Sequence, residues 1–369
     1  MRIAYLITHA ESVGGAQVHV RDLSTSLCEQ GHKVAILTSD SSSSVEYFRG
    51  HGAQVIGIPG LKRRLSFFAE ATVLSAIKKV LHEWRPDILS THSSKAGILG
   101  RMAAKKLGIP AVFTAHGWAF ADGVPEPQRT IYTVVERRAA RASAAIIAVS
   151  EADAALAVAR NVARPPKLHV IHNGMPNREL PSPHQILDSG DIVRICIVAR
   201  FAPQKDHALL LDALAELEEL PWILSLVGTG PGREAVERRV ANLGMNSRVI
   251  FHGQVPDAKP YLDESHIYAL VSNWEGFPRS ILEAMRSGLP IIASDVGGVR
   301  ESVLHNETGI LVPRGDRVAL VEAFRKLIED GELRHLLGAA GRDRFVNHFT
   351  FERMFERTTG LYREILEQL

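Results

Sequence analysis

Short apolar runs alternate with amphipathic stretches along nearly the whole chain, and that alternation limits what it can fold into. In the first half the runs are Arg2–Thr8, Val34–Thr38, Val55–Ile58, Ile88–Thr91, Ala111–Thr114, Ala145–Val149 and His169–Ile171. Each has the length and composition of a buried strand. Val20, Leu23 and Leu27 keep helical spacing before Gly31, as do Leu74, Ile77, Leu81 and Trp84 before Pro86. The pattern predicts βαβ units and hence a parallel sheet covered on both faces. Residues 175–190 hold three prolines and no apolar periodicity, which marks a linker. Beyond them the alternation restarts with Arg194–Ala199, Trp222–Val227, Val249–Phe251, Ile267–Val271, Pro290–Ser294 and Ile310–Val312, and two or three helices follow from Asp316. A chain of 369 residues exceeds one ordinary core, so two successive α/β domains are expected.

Hydrophobic content of 46% with 23% charged residues is that of a soluble globular protein. The two cysteines, Cys28 on a helix and Cys196 in a strand, have no nearby Cys or His in sequence and read as reduced core residues. No apolar run of membrane-spanning length occurs, since Ala96–Phe113 is broken by Arg101, Lys105 and Lys106. Met1 leads straight into the first strand, so no signal peptide and a cytosolic location are expected. The net charge of +2 is unevenly spread: residues 1–180 carry 22 Lys and Arg against 14 Asp and Glu, and the remainder 21 against 27. Either the basic half meets a polyanion or an anionic membrane, or these are scattered solubility charges. Lys62, Arg63 and Arg64 precede Phe67 and Phe68, which suits a membrane surface or, equally, a solvated loop with core phenylalanines. No RNP or helix-turn-helix signature is present, so nucleic acid is not an expected partner.

Ligands of open α/β sheets bind beyond the carboxyl ends of strands, which selects several loops. Asn273-Trp-Glu-Gly-Phe-Pro-Arg-Ser-Ile-Leu-Glu283 follows an apolar strand. Pro278 suits the first position of a helix, whose opening N–H groups at Arg279 and Ser280 form an anion cradle. Glu275 and Glu283 bracket that cradle, so something anionic and hydroxylated, such as a nucleotide sugar, would fit. Arg200 and Lys205 flank the loop after the first strand of the second half and could clamp a diphosphate or simply be surface charges. Gly14-Gly15-Ala16-Gln17 permits close approach of a phosphate or sugar, or is a plain turn; it is not G-x-G-x-x-G. His116 after the strand ending at Thr114 either touches a substrate hydroxyl or is structural. Ser150-Glu-Ala-Asp153 reads as a helix N-cap. Gly228-Thr-Gly-Pro-Gly232 is a phosphate-loop lookalike or a Gly/Pro turn, and Asp295–Glu301 supplies another glycine turn. The 16 histidines do not cluster at ligand spacing and no D-x-D pair occurs, so no metal is expected and Arg, Lys and a helix start must neutralise a diphosphate.

Taken together, Glu275-x7-Glu283, Arg200-x4-Lys205, Gly14-Gly15-Ala-Gln17 and Val-Ile-His-Asn173-Gly174 resemble the retaining glycosyltransferases of family 4 with the GT-B fold. The resemblance implies an α/β, GT-B architecture of two Rossmann-like domains facing across a cleft. It implies an acceptor domain at 1–178 plus 348–369, with the final helix crossing back to it, a linker at 179–190 and a donor domain at 191–347. It further implies that Arg200 and Lys205 bind the diphosphate, that Glu283 holds the donor ribose, and that Glu275 and the backbone after it hold sugar hydroxyls. His116 would contact the transferred sugar, while Gly14, Gly15, Gly253, Gly276, Phe277, Pro278, Ser280 and Ile281 would line the donor. No metal or other cofactor is implied. Retention implies front-face attack, the leaving phosphate oxygen taking the acceptor proton. A narrower likeness of Thr91–Arg101 and Thr114–Phe120 to bacterial enzymes of exopolysaccharide and capsule synthesis implies a polyprenyl-diphosphate-linked acceptor at the inner membrane face. It makes Lys95 and Arg101 candidates for the acceptor phosphates. The donor expected is a UDP-hexose or UDP-N-acetylhexosamine. Alternatives are a transferase with a soluble acceptor, a sugar-nucleotide epimerase, a non-catalytic nucleotide-sugar-binding protein and, more weakly, an NAD-dependent oxidoreductase.

Overall fold

A computed structural model describes residues 1–8, 14–61, 69–121, 123–180 and 191–368. The chain divides into two compact units, Met1–Asn173 with Met354–Leu369, and Gly174–Arg353. Lys62, Arg63, Arg64, Phe67 and Phe68, and residues 181–190 of the expected linker, lie outside the described residues.

The first unit carries β1 (Arg2–Ile7), β2 (Lys33–Ser39), β3 (Gln54–Ile58), β4 (Ile88–His92), β5 (Ala111–Ala115), β6 (Ala145–Ala148) and β7 (Leu168–Val170). They form one parallel sheet in the order β3-β2-β1-β4-β5-β6-β7. The second unit carries β8 (Val193–Val198), β9 (Trp222–Val227), β10 (Val249–Gly253), β11 (Ile267–Leu270), β12 (Ile291–Ser294) and β13 (Gly309–Val312). These too are all parallel, in the order β10-β9-β8-β11-β12-β13. Each predicted strand is present, its ends displaced by two residues at most.

Helices on both faces explain why the strands read as unbroken apolar runs. All of β4, β5, β6, β11 and β12 is buried. Short acidic or hydroxyl side chains cap some of the helices: Ser150 accepts from the Asp153 N–H at 3.0 Å, as its sequence frame predicts. Asp330 ends the helix Arg317–Glu329 and caps Gly331–His348 through the Leu333 N–H at 2.8 Å. The last helix, Phe351–Glu367, belongs to the first unit from Met354 on, and Arg357 Nη2 donates to the Val170 carbonyl at 2.7 Å. Among the described residues no helix is long and apolar enough to cross a membrane.

In each unit the strand order reverses once, between β1 and β4 and between β8 and β11. Chains leaving the carboxyl ends of those neighbours diverge to opposite faces and open a crevice, the place where such sheets bind ligands. Both crevices fall on loops that the sequence had singled out.

Candidate active site

In the second unit the loops at the strand ends are zipped to one another by backbone bonds. Gly228 N–H donates to the Gly253 carbonyl at 2.8 Å, and Phe201 N–H to Thr229 at 3.1 Å. Asn273 N–H donates to Gln204 at 2.8 Å, and Gly298 N–H to Gly276 at 2.9 Å. The glycines of these loops serve this contact. A Cβ on Gly230 would stand 2.4 Å from the Phe201 carbonyl oxygen, so Gly228–Gly232 is a packing turn against the Arg200 loop. Gly297, at φ +52°, leaves no room at all: a Cβ there would lie 1.9 Å from the Glu275 carbonyl oxygen. The glycine turn at Asp295–Glu301 therefore braces the main chain of Glu275.

Held by that frame, the Lys205 ammonium forms an ion pair with the Glu275 carboxylate, their side chains 12% and 6% exposed. Gln204 Nε2 donates to the second Glu275 oxygen at 3.2 Å and to the Trp274 carbonyl at 2.8 Å. Two residues assigned to adjacent parts of a donor, its diphosphate and its sugar, thus share one charge pair, and Gln204, which the sequence reading passed over, orients it. Behind them His207 stacks on Phe201 at 4.5 Å, and burial pushes its pKa down to about 4, so it is a neutral support. Arg200 is exposed and has no ion-pair partner among the described residues.

The helix Arg279–Arg286 starts one residue later than expected. Pro278 is its N-cap (φ −69°, ψ 119°), not its first helical residue, because the extended ψ turns the chain before the first turn begins. Gly276 and Pro278 sit in the approach to that first turn, and Ser280 is half-buried within it. Phe277 is buried against Phe349 at 5.3 Å and Ile281 is wholly buried, so what these two have to present is main chain. Burial pushes the Glu283 carboxyl upward in pKa, and Arg279 and Arg286 pull it partly back.

In the first unit Gly14 is the N-cap of the helix Gly15–Glu29, and Gln17 closes the turn. Its Oε1 accepts from the Gly14 N–H at 3.1 Å while its Nε2 donates to the Thr8 carbonyl at 3.3 Å. Across the same crevice, Thr8 Oγ1 and Ser93 Oγ lie 2.8 Å apart. Ser93 is held at φ 70°, ψ 150°, a conformation L-residues avoid. The residue before it, His92, bonds His116 (Nδ1 to Nε2, 2.9 Å).

His19, His92 and His116 bring ring nitrogens within 4.8 Å of one another. This corrects the expectation that the histidines do not cluster: they come from three elements, and no sequence spacing joins them. Two imidazoles on one tetrahedral ion, each about 2.0–2.1 Å from it, would stand about 3.3 Å apart. The 2.9 Å separation of His92 and His116 is that of a hydrogen bond. His92 is committed at both nitrogens, its Nε2 lying 3.1 Å from Ser90 Oγ.

The structure contradicts the assignment of Arg101 and finds Lys95 already paired. Arg101 is wholly buried and paired with Glu136; its Nε donates to the Gly97 carbonyl at 2.7 Å and its guanidinium lies 4.2 Å from the Phe113 ring centre. It cannot reach an acceptor phosphate, because the helix Ser94–Leu107 turns that position into the core. Lys95 is 7% exposed and bonds Glu70 at 2.8 Å, so its charge is already matched inside the unit.

Two parallel-sheet units, each with a glycine loop beside its switch point and the second with an ion-paired cation there, are the architecture of the GT-B fold. The description "Glycosyl transferases group 1" matches residues 184–344, and "Glycosyl transferase 4-like domain" matches residues 14–174. The chain belongs to this group 1, family 4-type set of glycosyltransferases. It is 27% identical over 326 residues to the Escherichia coli UDP-Gal:alpha-D-GlcNAc-diphosphoundecaprenol alpha-1,3-galactosyltransferase, covering 84% of this chain and 83% of that one. It is 23% identical to the Staphylococcus aureus capsular polysaccharide biosynthesis glycosyltransferase CapM, over 100% of this chain and 98% of that one. Among solved structures it is similar to Anabaena HepE in complex with UDP and glucose, with a TM-score of 0.84, 20% identity and coverage of 99% and 100% of the two chains.

Proposed function

We propose that this glycosyltransferase moves a hexose or N-acetylhexosamine from a UDP-sugar to a hydroxyl of a polyprenyl-diphosphate-linked saccharide, with retention at the anomeric carbon. The observation that carries the donor half is the Lys205–Glu275 pair at the β8/β11 switch point, beside the first turn of Arg279–Arg286. Lys205, Arg200 and that helix start gather positive charge where a departing diphosphate needs it, so this reading assigns no metal. Glu275 and the backbone of Gly276, Phe277 and Pro278 take the sugar hydroxyls, Glu283 the ribose, and Gly14, Gly15, Gly253, Ser280 and Ile281 the rest of the donor through main chain or hydroxyl. His116 takes the transferred sugar. In front-face transfer the C1–O bond to the diphosphate breaks as the acceptor oxygen bonds C1 on the same face. The acceptor proton passes to the leaving phosphate oxygen, so no covalent enzyme nucleophile is needed. The lipid-linked acceptor is supported by the E. coli relative, whose name specifies a diphosphoundecaprenol substrate.

Thermal stabilisation of the full chain by UDP- and GDP-sugars, followed by transfer to polyprenyl-diphosphate-GlcNAc, tests this. UDP-sugars should stabilise the chain by about 2.7 kcal/mol at a hundredfold excess over Kd, and GDP-sugars should not. NMR of the product should show the donor's anomeric configuration; an inverted linkage would overturn retention, and a soluble saccharide used as well as the lipid-linked one would overturn the acceptor. The membrane surface is a proposed partner through the basic first half and the Lys62-Arg63-Arg64 run. Anionic liposomes should pull the chain down at low salt and release it as salt rises. Equal sedimentation of a variant neutralised at all three positions would remove that run from the contact.

A further inference from the structure

A buried chain of hydrogen bonds ends on His116 and begins on the last helix. Tyr362, on Phe351–Glu367, donates from its hydroxyl to Ser90 Oγ at 2.8 Å. Ser90 Oγ lies 3.1 Å from His92 Nε2, and His92 Nδ1 lies 2.9 Å from His116 Nε2. Tyr362, Ser90 and His92 are all fully buried, whereas His116 is only half-buried and reaches the crevice side. The β4 strand places Ser90 and His92 on one face, two residues apart, so both point to the same side of the sheet. His19 closes the cluster from the helix Gly15–Glu29, its ring edge-on to His116 at 4.8 Å. The strained Ser93, tied to Thr8, fixes where β4 ends.

The direction of the Tyr362–Ser90 bond sets the proton order along this chain. Tyr362 spends its only proton on Ser90, and Ser90 then has its own to give to His92 Nε2. A neutral His92 must carry its proton on Nδ1, which donates to His116 Nε2. The opposite order would need Ser90 to donate to the Tyr362 oxygen and Tyr362 to turn its proton toward Tyr5, the hydroxyl on its other side, against the direction of the Tyr362–Ser90 bond. Burial, with His116 adding to it, pushes the His92 pKa well down and keeps it neutral, and burial holds the Tyr362 hydroxyl protonated.

We propose that Tyr362, Ser90 and His92 are positioning residues that hold neutral His116 in the tautomer bearing its proton on Nδ1. His116 is then a fixed donor toward a sugar hydroxyl, and the chain's last helix is a working part of the first unit's site. The inference rests on the reading that His116 contacts the transferred sugar.

The test uses the full chain with 15N-labelled histidine, in which the ring-nitrogen shifts report where each proton sits. In the parent protein His116 should be protonated at Nδ1 and bare at Nε2. Tyr362→Phe, and independently Ser90→Ala, should populate both tautomers and lower kcat about tenfold, with the KM for the UDP-sugar within about twofold of the parent. A parent His116 protonated at Nε2, or an unchanged tautomer in both variants, overturns the relay. A tautomer that shifts while kcat does not overturns the role of His116 in transfer and leaves the relay standing. A role confined to packing would lower thermal stability in both variants without moving the tautomer.

Discussion

Lys205→Ala should lower transfer by about 10²–10³-fold, the usual cost of removing one group that meets developing charge on a leaving oxyanion. The substitution acts twice. It removes a cation from the diphosphate and leaves the Glu275 carboxylate, 6% exposed, without the ammonium that matches it. Glu275→Gln should cost a comparable factor, since it keeps the amide-sized shape that Gln204 and the Gly297 turn hold but loses the charge. Because the two side chains form one pair, the double variant should lose far less than the product of the single losses. Initial rates of donor consumption and product formation, with thermal melts as the control on folding, check this. A Lys205→Ala enzyme working at more than about a tenth of the parent rate would put the ammonium outside the reaction. Independent, multiplying losses would mean that the pair does not act as a unit.

Arg101→Ala should destabilise the first unit by about 3–5 kcal/mol, the cost of stranding one partner of a buried ion pair. Glu136 would remain inside with its charge unmatched, and the lost guanidinium would take with it the bond to Gly97 and the contact with Phe113. Arg101→Met combined with Glu136→Leu should recover most of that loss, because apolar groups of similar size carry no desolvation penalty. Denaturant midpoints of the single and double variants measure both effects. Undiminished stability in Arg101→Ala, with a raised KM for the lipid-linked acceptor, would return Arg101 to the phosphate-binding part that its sequence neighbourhood implies.

The contrast between Lys205 and Arg101 shows where reading a sequence succeeds and where it stops. Lys205 stands in a loop after a strand, and its position beyond a carboxyl end follows from the strand assignment alone. Arg101 stands on a helix, where a shift of 100° per residue separates a crevice from a core, and only packing decides which face it joins. The same holds for Phe277 and Ile281, which belong to the right stretch but turn their side chains inward. Gln204 was passed over because its work is to orient Glu275 from 71 positions away in sequence.

The sequence by itself determined the two α/β units, every strand, the loops that carry Gly14, His116, Arg200, Lys205 and Glu275, and the resemblance that those motifs support. Each depends on local periodicity or on residues close in the chain, and both are legible in one dimension. The tertiary structure alone decided that Glu275 is held by Lys205 and braced by Gly297, that Arg101 and Lys95 spend their charges inside, and that three histidines from separate elements meet. It also brought Tyr362 to within 2.8 Å of Ser90 across 272 positions. Contacts of that kind are set by how sheets and helices pack, where side-chain direction and long-range proximity replace spacing as the controlling variables.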